Sequence, residues 1–169
     1  MSSPAERDWK VRGGLVYDDE LGDAGIESSI VALHGELKNG GKDDFGGDEW
    51  WGVQGGAALD ISGFKLAAGI GTDHLGDLDR QYFTAGVGYG YGPLNTSITY
   101  GQIFDSNSDF QEANDGMDKP YNLVFAADYA LAPGLVLAGD VSAFDNDTDS
   151  TADTGAKGWA AVGRFEVAF

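Results

Sequence analysis

Apolar and polar residues alternate along most of this chain. Phe83, Ala85, Val87, Tyr89 and Tyr91 are interleaved with Thr84, Gly86, Gly88 and Gly90. Tyr121, Leu123, Phe125, Ala127, Tyr129 and Leu131 bracket Asn122 and Asp128 in the same way. A period of two puts each set on its own face of a β-strand. Read along the chain, it predicts about nine extended segments. They cover residues 8–18, 25–37, 49–61, 64–72, 81–91, 94–102, 121–131, 135–144 and 158–169. The first sets Trp9, Val11, Leu15 and Tyr17 against Lys10, Arg12 and Asp18; the second is the least regular. The 27 glycines and the period both disfavour helix. No apolar run approaches the roughly 18–20 residues of a transmembrane helix, whereas a membrane strand needs only about 9–11.

The connections separate a barrel from a sandwich. Short turns are predicted at Ser62-Gly63, Gly92-Pro93 and Ala132-Pro133-Gly134, and long polar loops at 38–48, 73–80, 104–119 and 145–157. Short and long alternate, as in barrels with short periplasmic turns and longer external loops. A Greek-key sandwich has no reason to keep that order. Trp51, Phe64, Tyr91, Tyr121, Tyr129, Trp159 and Phe169 fall near strand ends, as aromatic girdles at two membrane interfaces would.

In the last segment Trp159, Ala161, Gly163, Phe165, Val167 and Phe169 share one face. A strand of this kind ending on an aromatic resembles the closing strand of bacterial outer-membrane barrels. Phe165, Val167 and Phe169 resemble the signal read by the barrel-insertion machinery. Residues 121–137, with Leu-Ala-Pro-Gly-Leu at 131–135, resemble the penultimate hairpin, and residues 158–169 the final strand, of Gram-negative porins of the alphaproteobacterial type. The resemblance implies an all-β antiparallel transmembrane barrel, a cell outer membrane location, a homotrimer and no enzymatic activity. It implies no cofactor, and outer-membrane lipid, small solutes and ions as partners. Residues 1–169 read as a single barrel domain.

Nine strands would put the two ends of the chain on opposite sides, whereas bacterial barrels have an even count. In one arrangement this is the carboxyl-terminal portion of a porin barrel of about sixteen strands. Residues 1–12 are polar and lack the apolar core of a secretory signal, which agrees with it. No residue here then inherits the constriction loop that the resemblance places in the front half. In the other arrangement the first segment lies outside the membrane, and eight strands make a small barrel with a structural or adhesion role. Its interior is just wide enough for packed side chains, which the many inward Gly and Ala residues suit poorly.

Charge and motifs narrow the chemistry. With 28 acidic and 10 basic residues, a net charge of -18 disfavours nucleic acid, whose binding rests on neutralising phosphates. Disorder, the usual reading of such acidity, conflicts with a 42% hydrophobic content in regular alternation. Without Cys there is no disulfide or thiolate site. The acidic stretch 145–153 has carboxylates at alternating positions, but Ser150 and Ala156 stand where a calcium loop needs Gly and Glu. His34 and His74 are far apart in sequence and mark no zinc site. A hydrolase reading lacks a nucleophile elbow. Alternation directs Lys65, Asp128, Asp140, Arg164 and Glu166, with Asp60, to the face opposite the apolar one. These are the candidate pore-lining residues, since hydrated charges on a channel wall set its field.

Overall fold

The structure, a computed structural model, describes residues 7–37, 47, 49–113, 119–146 and 156–168. They form β1 (Arg7–Leu21), β2 (Ala24–Leu37), β3 (Glu49–Ile61), β4 (Phe64–Leu75), β5 (Leu78–Tyr91), β6 (Leu94–Ser106), α1 (Ser108–Ala113), β7 (Tyr121–Ala132), β8 (Leu135–Asn146) and β9 (Ala156–Val167). The strands make one antiparallel sheet in sequence order. It is not closed: β1 and β9 are its edges among the described residues.

Residues opposite one another across a strand pair share a face. Pairing therefore carries the alternation sideways through the sheet. One apolar row runs Leu59, Leu66, Val87, Ile98, Phe125, Val141, Ala161 from β3 to β9. On the opposite face Glu27, Ala58, Ala67, Gly86, Thr99, Val124, Ser142 and Ala160 make the matching row. Among the described residues no second layer covers either. Among the described apolar residues only Phe110 and Ala138 are buried. Leu123 and Phe125 in mid-sheet are 42% and 48% exposed, and Leu15 and Trp159 on the edge strands reach 75%.

Four two-residue turns, at Gly22-Asp23, Ser62-Gly63, Gly92-Pro93 and Pro133-Gly134, lie at one end of the sheet, the turn end. At Ser62-Gly63 both residues have positive φ, 53° and 84°, the mirror-image turn whose twist suits two antiparallel strands. Gly63 is required there twice over, because a Cβ would also lie 2.7 Å from the Gly90 carbonyl oxygen.

Two expected strands hold and one expected loop changes. The irregular second segment is a full strand paired on both sides, because β2 needs only the register of β1 and β3 to hold it. The first segment is likewise a sheet strand along Arg7–Leu21, so the eight-strand arrangement that left it outside is not the one found. The long loop expected at 73–80 is a two-residue turn at Gly76-Asp77. Its polar residues extend β4 and β5 beyond the apolar band: Asp73 pairs with Arg80, His74 with Asp79 and Leu75 with Leu78. Most of the stretches 38–48 and 145–157, and Phe169, lie outside the described residues.

The β6–β7 connection folds back on this extended hairpin. Asn107 caps α1, its Oδ1 accepting from the Phe110 backbone N–H at 2.9 Å. The same side chain donates to the Asp77 carbonyl at 2.6 Å, and its Oδ1 accepts from the Asp79 N–H at 3.2 Å. Phe110 is thereby buried at the loop end.

Two substitutions test these joints. Gly63→Ala should lower stability to urea in reconstituted protein by about 1–2 kcal/mol, the cost of a left-handed backbone in a residue with a Cβ. Gly13→Ala, with no atom within 4 Å of the added Cβ, should not. Asn107→Ala removes cap and clasp together. Chymotrypsin cleavage after Phe110, followed by mass spectrometry, should then run about tenfold faster, the scale of one lost N-cap.

Candidate pore-lining face

The polar face is built by the even positions of β1, β3, β5, β7, β8 and β9 and the odd positions of β2, β4 and most of β6. Register gives it three zones. Toward the turn end it is charged. Asp60 and Lys65 face each other across β3 and β4, while the Lys65 Nζ reaches Glu27 Oε2 on β2 at 3.7 Å. Asn95 Nδ2 donates to Asp128 Oδ2 at 2.8 Å across β6 and β7. Arg164 Nε donates to Glu166 Oε1 at 2.6 Å along β9. Asp140 lies between Ala126 and Val162. The five candidate residues thus share one face, and each occupies its turn-ward half.

The middle zone is small and uncharged. Ser29, Gly56, Ala67, Gly69, Thr84 and Gly86 line an open trough of about 370 Å³, with Glu27 and Lys65 at one side. At Gly56 a Cβ would come within 2.9 Å of the Ala68 carbonyl oxygen, so the residue allows close approach of β3 and β4.

Toward the loop end the face becomes aromatic and basic. Tyr82 lies over Gly71, its register partner, in the space a Cβ there would fill. Its hydroxyl donates to Gln54 Oε1 at 3.2 Å. Arg80 donates through Nε and Nη2 to Asp73 Oδ2, at 3.1 and 2.7 Å, and its guanidinium sits 5.7 Å from the Tyr82 ring centre. Lys10 lies 5.9 Å from the Trp50 ring.

The apolar face carries rings at both ends. Phe64 and Tyr89 touch at a centroid distance of 4.4 Å near the turns. Near the loops Phe83 meets Tyr100, which stacks on Tyr121, at 5.7 and 5.8 Å. His34 and His74, distant in sequence, flank Trp51 on this face. The His74 ring stacks on Trp51 at 5.5 Å, with Nδ1 2.6 Å from Asp79 Oδ1. His34 Nδ1 is 3.9 Å from Glu49. They belong to a ring-and-carboxylate border and do not converge on a metal. No group of three potential ligands forms a metal site among the described residues. Asp145, first of the acidic stretch, pairs with Lys157 at 3.1 Å; residues 147–155 lie outside the described residues.

Sequence reasoning put the five candidates on one common face, which the register shares, but missed Glu27, because β2 looked irregular. It also missed the Tyr82–Gly71 joint and the Arg80–Asp73 pair. The second fell in a stretch read as loop. A Gly opposite a Tyr becomes visible only once the register is known.

A comparison with curated proteins finds no match. The model of a protein family described as Gram-negative porin matches residues 4–149. That span takes in β1 to β8, and β9, outside it, joins through its full register with β8. On that match, the chain belongs to the Gram-negative porin family.

Proposed function

We propose that this chain forms the wall of a water-filled outer-membrane channel through which ions and small hydrophilic solutes diffuse passively. The observation that carries this reading is the single-layer sheet with one continuous apolar face and one polar face, both uncovered among the described residues. Hydrocarbon suits the first face and water the second. Hydrogen bonding within the sheet satisfies backbone groups that lipid cannot. From Trp51 to Ile61 is about 33 Å along β3 at the usual rise per residue. At a tilt of about 40° that spans about 25 Å, the height of the apolar band of such barrels. The Gly and Ala residues of the trough leave the wall thin and the lumen open, and no bond-making chemistry is needed.

Lys65, Asp128, Asp140, Arg164 and Glu166 then line the pore as hydrated charges. Phe165 and Val167, on the apolar face of edge strand β9, serve with Phe169 as the signal for the barrel-insertion machinery. The homotrimer implied by porin resemblance belongs to the same reading.

The closed barrel that contains this sheet, purified and reconstituted in a planar bilayer, is expected to give discrete conductance steps. Their absence from inserted protein would favour a structural or adhesion role. Phe125→Arg, in the middle of the apolar face, is expected to cost about 2–4 kcal/mol of stability in lipid, as a charge at the bilayer midplane does. Urea unfolding in vesicles, against Val124→Thr on the polar face as the near-silent control, measures it.

A further inference from the structure

We infer that the turn-ward mouth of this wall selects hydrated cations over anions, and that it does so from one end of the channel. The inference rests on the channel reading and concerns the substrate class of that same wall. The net charge of the whole chain says little about it, because many acids lie in loops. What matters is charge on the polar face, zone by zone.

In the turn-ward half, Asp18, Glu20, Asp60, Asp128 and Asp140 share that face. The cations there among the described residues are Lys65 and Arg164, and each already has its own carboxylate. Lys65 pairs with Glu27 at 3.7 Å and Arg164 with Glu166 at 2.6 Å. Lys65 also faces Asp60 across β3 and β4, but two cations against seven acids (Asp18, Glu20, Glu27, Asp60, Asp128, Asp140 and Glu166) leave this half net negative. Asp128 accepts from the neutral amide of Asn95, which holds the carboxylate in place without cancelling its charge. Asp18 and Asp60 border one hollow with Glu27 and Lys65, while Asp128 and Asp140 lie on β7 and β8; no three potential ligands form a metal site among the described residues. Cations are therefore drawn in hydrated and pass on, with no chelation to hold them.

The loop-ward half of the same face is opposite in sign. Among the described residues Lys10, Arg12 and Arg80 lie there, and Asp73 on the same face is bonded to Arg80. The uncharged trough separates the zones. Fixed charge of one sign at one mouth raises the local concentration of counter-ions there. Its reach is the Debye length, about 30 Å at 0.01 M salt and about 3 Å at 1 M. The preference is thus strongest when dilute solution bathes the turn end.

Zero-current potentials in a planar bilayer under a KCl gradient, applied in each direction, test this on the full protein. The expected result is a potential of the sign for potassium over chloride, larger with the gradient in one direction than in the other. The triple change Asp60→Asn, Asp128→Asn and Asp140→Asn should lower the potassium-to-chloride permeability ratio at least about twofold, by removing wall charge. Lys65→Gln, which frees Glu27, should move the ratio the opposite way and keeps the test alive if the triple variant fails to insert. Chloride preference in the wild type, or ratios that do not move while steps are still recorded, would overturn the inference. Absence of any steps in the wild type would instead sink the channel reading.

Discussion

Everything in this molecule follows from a sheet that has no core. In a soluble domain, each sheet buries its apolar face against a second layer, and that burial offsets the entropy of ordering the chain. Here the apolar face is continuous from strand to strand, and none of the described residues forms a layer over it. Burying one such side chain is worth about 1.5–3 kcal/mol, and the face carries many. The medium around the sheet must supply that burial. A bilayer does so on one side only, and it demands in return that backbone groups be paired internally. The sheet ladder meets that demand at every interior strand, which is why strand and not helix is the economical element for this sequence.

The same constraint explains why so much of the fold was legible. With one face apolar and the other polar, a slip of one residue exchanges every side chain between the two faces. Selection for register therefore writes a strict period of two into the sequence, clearest in β5 and β7. Turn chemistry was legible for a local reason: Ser62-Gly63 and Pro133-Gly134 carry backbone angles that few residues adopt. What was not legible lies where medium does not dictate sequence. β2 alternates weakly, and its neighbours hold it. The extended part of the β4–β5 hairpin lies beyond the apolar band, so Asp73, His74, Asp79 and Arg80 look like loop residues while pairing as strand. Of the candidate site, alternation gave the face of each residue, but partners across strands, such as Glu27 for Lys65 and Asn95 for Asp128, needed the register.

The polar face follows a different rule from the apolar one. It is not packed, so size there is free to vary, and the middle zone uses that freedom for small residues. Charge is then set apart at the two ends. Placing Lys65 beside Glu27 and Arg164 beside Glu166 gives cations that structure the wall without dominating its field.

Strand direction adds a last consequence. In an antiparallel sheet taken in sequence order, all odd-numbered strands run the same way, so β1 and β9 are parallel to each other. Pairing those two edges would make a parallel seam in an otherwise antiparallel ring. A second copy in the same membrane orientation meets the same difficulty, since its β9 also runs parallel to the first copy's β1. Antiparallel closure requires an odd number of further strands between the edges. The edges cannot be left open in hydrocarbon, where their unpaired N–H and C=O groups find no partner. The high exposure of Leu15 and Trp159 is the side-chain counterpart of that unmet pairing: both lack on one flank the neighbour that every interior strand has on two.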